Sequence, residues 1–406
     1  MEIQDRRVIG RLAKSFDQTI QPAQSGKLWK ALTNCGTELW LDTGDMEAID
    51  KLWDSSMTAV TTNNTLLNQE IQKGIYDKIA QELSLELKHI EDPHHRIREI
   101  AFFLNALHGL RLAHRYKCKV SVELHTDLSH HVDQIVAYGI RFHAISPDNF
   151  IVKVPFTPSG LLGARILHEK GIPVNLTLQF SARQNVLTAI VAKPAFTNVF
   201  MGRVQAYIES NKLQASPMFS ETVVEQTQLQ LWHLREKQLS PTRLIAASLR
   251  HPSQLLAISG SDVFTIPPSV AEKGINSLDA PHAPAIVPTG QATYAPAPAL
   301  LPAIASLGTV PDTLVKTALY IDKHIPKQAK ELEKILTDNG FGDIFPNFSP
   351  GDMQKIAADG KIPVHAHWEK LIGEKRYAID SLLTEAGLAS FTADQAQLDN
   401  RILSLI

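Results

Sequence analysis

The chain predicts an α/β fold: a (β/α)8 barrel with extra helices and a C-terminal helical extension. Three observations lead there. Eight short apolar, β-branched runs recur through the first two-thirds of the 406 residues, and longer helical patterns separate them, which is the order of a parallel barrel. The runs are largely continuous rather than alternating, as strands covered on both faces are. Several runs end in a polar residue, and the C-terminal strand ends are where such barrels gather their chemistry.

Residues 1–36 read as an N-terminal helical segment and 37–278 as the barrel. The predicted strands are Glu38–Asp42, Ala59–Thr62, Lys119–Leu124, Phe150–Pro155, Val174–Phe180, Thr197–Met201, Leu244–Ser248 and Val263–Ile266. Leu161–Lys170 and Ser253–Ser259 read as intervening helices. The stretch 64–116 is longer than one crossover needs and should hold additional helices. Residues 279–311 are rich in Ala and Pro (Pro281, Pro284, Pro288, Pro296, Pro298, Pro302) and read as a semi-rigid connector, a plain linker in preference to a strap across one barrel face. Residues 312–406 form the extension, with helical patterns at Ala329–Asp338, Met353–Asp359 and Val364–Ile372, and turn signals at Asn339-Gly340 and Pro350-Gly351.

Composition narrows the class. A hydrophobic share of 44% and a charged share of 20% fit a globular protein with a large core. A net charge of −2, with no basic block, argues against nucleic acid as a partner. No apolar run is long enough for a membrane span, and the charged start Met-Glu-Ile-Gln-Asp-Arg-Arg is not a secretory signal. Cys35 and Cys118 are the two cysteines and lack metal-type spacing, so a reducing, cytoplasmic setting is expected. His125, His130 and His131 are near one another and His94 and His95 are adjacent, but surface helices account for them and no metal site is expected.

The most informative stretch is Phe-Ile-Val-Lys153-Val-Pro-Phe. A lysine in a buried strand is expensive to keep charged, and burial favours the neutral amine that attacks carbonyls. The plainer reading is a strand-end lysine that reaches water. The other strand ends tip the balance. They carry Asp42, then Thr61-Thr62-Asn63, Glu123, Asn175 and Thr177, Phe200 with Arg203 just beyond, and Ser248 with Arg250. Each has a structural alternative: Asp42 suits a helix cap, Asn63 a turn, Glu123 a solvated surface, and the arginines surface ion pairs. Together they suit aldol chemistry. A lysine forms an iminium with a ketose, one carboxylate moves the hydroxyl proton, a second works through a water, and arginines hold a phosphate.

The stretches Leu-Trp-Leu-Asp42-Thr-Gly-Asp, Val-Thr-Thr-Asn63, Val-Ser-Val-Glu123, Val-Lys153-Val-Pro, Asn175-Leu-Thr177-Leu, Phe200-Met-Gly-Arg203 and Ala-Ser248-Leu-Arg250 occur in one order across residues 37–270. In that order they resemble the transaldolase family. The resemblance implies a cofactor-free barrel acting on sugar phosphates in the pentose phosphate pathway. It implies Lys153 as the Schiff-base lysine and Asp42 as the acid/base. Glu123 and Thr177 would hold a water; Asn63 and Asn175 would bind the dihydroxyacetone part; and Arg203, Ser248 and Arg250 would bind the phosphate. Sedoheptulose 7-phosphate or fructose 6-phosphate would be the donor. A homodimer is left open as the assembly.

The sequence departs from the family pattern at three places. Asn64 and Thr65 stand where proline and serine are usual, Phe156 where small residues are common, and Asn198 where a serine contacts the donor sugar. Two rivals remain. In the fructose-6-phosphate aldolase group a glutamine and a tyrosine take the places of Glu123 and Phe200, so those two residues favour transfer. A non-catalytic sugar-phosphate-binding barrel is the other, and retention of both Lys153 and Asp42 argues against it.

Overall fold

A computed structural model describes residues 2–13, 19–288 and 301–406. The expected connector falls partly on 289–300, with Pro296 and Pro298, and that part lies outside the described residues. Eight parallel strands close into a barrel in chain order: β1 (Glu38–Asp42), β2 (Met57–Thr61), β3 (Lys119–Glu123), β4 (Phe150–Pro155), β5 (Val174–Thr177), β6 (Phe196–Phe200), β7 (Arg243–Ala247) and β8 (Val263–Ile266). β1 pairs with both β2 and β8, which closes the ring.

The apolar runs have a hidden period of two. Residues such as Leu39, Leu41, Val60, Val120, Val122, Val152, Val154, Val174, Leu176 and Val199 belong to the large core shared with the outer helices. Their neighbours face inward. At the bottom of the barrel these are apolar, and Trp40, Ala59, Ile151, Phe196, Ile245 and Val263 form a separate interior cluster. One pleat higher, the same strand faces carry Asp42, Thr61, Glu123, Lys153, Asn175 and Asn198. Lys153 interrupts an apolar run because Val152 and Val154 serve the helix layer while Lys153 serves the barrel interior.

Strand positions agree with the sequence reading to within three residues, and β1, β4 and β8 agree at both ends. The predicted run Val174–Phe180 is shorter, because Leu178 takes a left-handed φ of 69° that ends the ladder at Thr177. The stretch 64–116 holds three helices, Asn64–Gln72, Asp77–Glu86 and Pro93–Tyr116. The pattern Val364–Ile372 is not one helix. It breaks into a 3₁₀ turn, His365–His367, and a short helix, Glu369–Gly373. The break lets Trp368 pack with Ile356, Tyr377, Leu382 and Ala386 while its indole donates to Asp359 at 3.2 Å.

The extension does not hang free. Its last helix, Ile379–Leu403, crosses the C-terminal mouth of the barrel. On one side Thr384 donates to the carbonyl of Leu178 at 2.9 Å, and Arg183 holds Asp380 through two bonds of 2.8 Å. On the other, Asn64 donates to Gln395 at 2.6 Å, Thr65 donates to Asp394, and His125 meets Asp399 at 3.1 Å. No helix among the described residues is long and apolar enough to cross a membrane.

Candidate active site

Lys153 stands at the centre of the site. Parallel register places it beside Glu123 on β3 and beside Asn175 on β5. Its Nζ donates to the carbonyl of Thr62 at 3.2 Å and lies 3.5 Å from the Glu123 carboxylate. Lys153 is 4% exposed and Glu123 is 3% exposed. A solvated surface role for Glu123 is thereby excluded. Burial pushes the Glu123 carboxyl above its ordinary range. The Lys153 charge and the backbone N–H of Asn64 oppose that push without cancelling it. Asn64 opens the helix Asn64–Gln72, so the carboxyl also faces a helix N-terminus with its unpaired donors.

Asp42 ends β1 in register with Thr61, whose hydroxyl donates to it at 2.7 Å. Thr61 in turn meets the Thr265 hydroxyl at 2.6 Å, so the carboxyl is held from below. Asp42 does not cap the following helix, Met46–Leu52; Asp45 does that through bonds to Glu47 and Ala48. Burial raises the Asp42 carboxyl, against the pull of Lys153, the Thr61 hydroxyl and Arg250. Two carboxyls with raised affinity for protons therefore flank one buried amine, a pattern concentrated at proton-transfer sites.

A chain of amides lines the next sector. Asn198 donates to the Asn175 side chain at 3.1 Å and to the Leu176 carbonyl at 3.0 Å, and Asn175 donates to Ser121 at 3.2 Å. The Asn198 carbonyl oxygen and the Thr177 hydroxyl are buried without a partner. Thr177 lies on the same face of β5 as Asn175, two residues on. Asn63 is engaged differently. Its carbonyl oxygen caps the helix Asn64–Gln72 by accepting from Leu66 at 2.9 Å, so only its amide nitrogen is free to serve the mouth.

The rim holds the cations. Arg203 is in the first turn of the helix Met201–Ser210, and Arg250 follows β7 at an exposed position. Neither forms an ion pair with a described residue, so the surface-pairing alternative fails for both. Arg203 is almost fully buried, its Nη1 has no partner, and its guanidinium is pulled down to about 10 by burial and by the like charge of Arg250. The two sectors are locked together. A Cβ on Gly202 would lie 2.0 Å from the Ser248 carbonyl and 2.8 Å from the Arg250 side chain, so only glycine allows this approach. Ser248 itself has a φ of 63°, a left-handed conformation that non-glycine residues hold at a cost of about 1–3 kcal/mol and that clusters at functional sites. Phe200 packs against Phe180, ring centroids 5.7 Å apart, and under Arg203.

Of the histidines singled out in the sequence, His125 meets Asp399 at 3.1 Å and accepts from the Asp127 backbone N–H.

The structure thus brings Asp42, Glu123, Lys153, Asn175, Thr177, Asn198, Phe200, Arg203, Ser248 and Arg250 to one barrel mouth, with Asn63 at its edge. The family model described as transaldolase/fructose-6-phosphate aldolase matches residues 39–337. The chain belongs to that family. A transaldolase of Xanthomonas euvesicatoria pv. vesicatoria is 31% identical over 256 residues, covering 59% of this chain and 74% of the relative. A transaldolase of Chlamydia trachomatis serovar D is 27% identical over 278 residues, 64% of this chain and 77% of the relative. The family match ends before the helix Ile379–Leu403, which closes the mouth.

That helix brings in the residues that sequence reasoning missed. The Phe391 ring centroid is 5.8 Å from the Lys153 Nζ and 5.7 Å from the Arg203 guanidinium carbon. Within the barrel, Ser121 and Thr265 were also missed; they bond Asn175 and Thr61. Two departures from the family pattern gave a signal. Asn64 and Thr65 bond to Gln395 and Asp394 of this helix, and the Phe156 ring packs at a tilt against Phe345 of the extension, centroids 4.8 Å apart.

Proposed function

We propose that this protein is a transaldolase that moves a dihydroxyacetone unit between sugar phosphates through a Schiff base on Lys153. The observation that supports it most is the placement of one buried amine between two carboxyls of raised proton affinity, with two unpaired arginines at the rim. The unprotonated Lys153 amine attacks the ketose carbonyl, and loss of water leaves an iminium. Glu123, beside the amine, and the unpartnered Thr177 hydroxyl would hold the water that leaves and later returns. Asp42 takes the proton of the substrate hydroxyl as the adjacent carbon–carbon bond breaks. The electron pair passes into the iminium and gives an enamine, and an aldose phosphate departs. An incoming aldose is attacked by the enamine carbon, Asp42 returns the proton, and hydrolysis frees the new ketose.

Asn175, Asn198 and the amide nitrogen of Asn63 offer hydrogen bonds to the hydroxyls of the dihydroxyacetone part. Arg203 and Arg250 suit a phosphate: like charges crowded together with a free Nη1 gain from an anion that bonds both. Fructose 6-phosphate or sedoheptulose 7-phosphate fits as donor. Cytoplasmic action, within pentose phosphate metabolism, belongs to the same reading. The test is borohydride reduction with fructose 6-phosphate followed by intact mass measurement. The wild type should gain one dihydroxyacetone-derived adduct and Lys153→Arg none, because a guanidinium stays protonated. Absence of an adduct on the wild type with either ketose phosphate would defeat this function.

A further inference from the structure

The mouth is closed by a residue that no barrel strand supplies. Phe391 is 4% exposed, and its ring lies within 6 Å of both the Lys153 amine and the Arg203 guanidinium. The helix backbone is equally close. A Cβ on Gly387 would lie 3.0 Å from the Arg203 Nη1 and 2.8 Å from Leu178, so glycine is what lets the helix come down onto Arg203. Phe391 is one helical turn further along the same face. The position is fixed from both ends, by Asp380 and Thr384 on one side and by Gln395 and Asp399 on the other.

We propose that Phe391 is a substrate-contacting residue that roofs the sugar chain between Lys153 and Arg203 and decides between transfer and release. The inference rests on the Schiff-base function above. In that reaction the carbonyl carbon is bound to Lys153 and the phosphate lies at Arg203, so the carbons between them run beneath the ring. After cleavage the enamine waits for an acceptor. If water reaches it, the enamine carbon takes a proton from water. The resulting iminium then adds hydroxide at its carbon, the carbon–nitrogen bond breaks, and free dihydroxyacetone leaves the regenerated amine. The net change is addition of one water. An aromatic ring over the reacting carbon excludes that water. An incoming aldose phosphate brings its own apolar edge and phosphate to the same place.

The test compares the wild type with Phe391→Ala, Phe391→Leu and Leu398→Ala. Leu398 is buried two turns further along the same helix and shares the large core, and it is not among the residues assigned to chemistry. Adduct formation with fructose 6-phosphate is measured first, then dihydroxyacetone release without acceptor against transfer with erythrose 4-phosphate. Both Phe391 variants should retain the adduct, and their release-to-transfer ratio should rise on the order of tenfold, the usual effect of losing one apolar contact in a site. Leu398→Ala should lower thermal stability and leave the ratio unchanged. Should Phe391→Ala fail to fold, Phe391→Leu, which keeps the burial, carries the measurement. An unchanged ratio in adduct-forming Phe391 variants overturns the proposal, as does an equal rise in Leu398→Ala, which would assign the effect to helix packing. A wild type that forms no adduct overturns the underlying function instead.

Discussion

Replacing Arg183 by methionine should loosen the closing helix. Arg183 and Asp380 are both buried, joined by two bonds of 2.8 Å, and a third bond of 2.9 Å runs from Arg183 to Asp343. Methionine keeps the packing of the stem and removes the charge. Breaking one side of a buried pair costs about 3–5 kcal/mol, because the remaining charge stays desolvated. Here the lower end is expected. Asp380 keeps the Ser181 hydroxyl at 2.6 Å and the Ser381 N–H at 3.0 Å, and the Asp343 side chain retains 18% of its exposure to water. The predicted loss is therefore about 3 kcal/mol, a value read from urea unfolding.

The pH dependence gives an independent check. Burial pushes the Asp380 carboxyl up, but the Arg183 charge and hydrogen bonds outweigh it and hold it below its ordinary range. A depressed carboxylate contributes stability above its unfolded range, and that contribution is lost as pH falls through the folded value. In Arg183→Met the same carboxyl is buried without its cation and should move up. The gap between wild type and variant should therefore be widest near neutrality and narrow in acid. Asp380→Leu in the Arg183→Met background should recover much of the loss, since it removes the unpaired charge. A single-variant cost below about 1 kcal/mol, or a gap that does not change with pH, would refute the buried-pair reasoning.

Other predictions follow from the same geometry. Asp42→Asn should lower turnover by about 10²–10⁴-fold while keeping the borohydride adduct; near-normal turnover would move proton transfer elsewhere. Since burial raises the Asp42 carboxyl, the ionised form burdens the fold as pH rises from the unfolded carboxylate range through the folded value. Asp42→Asn should accordingly raise the Tm near neutrality and not in acid, as thermal scans at two pH values would show. Arg250→Ala should raise KM for a phosphorylated ketose far more than for its unphosphorylated analogue, and an equal effect on both would assign the arginine to the fold. Gly202→Ala should disturb both stability and phosphate affinity, because its Cβ would meet the Ser248 carbonyl at 2.0 Å. Normal KM and Tm in that variant would show that the β6–β7 edge yields more easily than its packing indicates.

The barrel was legible because its strands carry two local signals at once, apolar β-branched runs and polar strand ends. Both survive in one sequence because adjacent residues on a strand face different layers. Val152 and Val154 pack with helices and Lys153 faces the barrel interior, so a lone lysine in an apolar run marks a functional face rather than a fault. Boundaries were less legible where backbone conformation, not composition, ends the strand. Leu178 is apolar enough to extend β5, and only its left-handed φ of 69° stops it. The split at Trp368 has a similar origin, since burying the indole against Tyr377 and Ile356 outweighs the helical pattern of 364–372.

The roof of the site was illegible for another reason. Nothing local to Phe391 marks it, since a phenylalanine in a long helix reads as ordinary packing. Its role comes from contacts made across more than three hundred residues, such as Asn64 with Gln395 and Thr65 with Asp394. Yet two of the places where the barrel departs from its family pattern, Asn64-Thr65 and Phe156, are places where it touches the extension. A proline at position 64 would have no side-chain amide to give to Gln395, and a small residue at 156 would leave the Phe345 ring without its partner. The departures and the extension therefore complement each other. This chain holds the closing helix and the extension against its barrel with polar and aromatic contacts from these positions. The altered positions beside Lys153 are better explained by the helix above them than by a loss of the chemistry below.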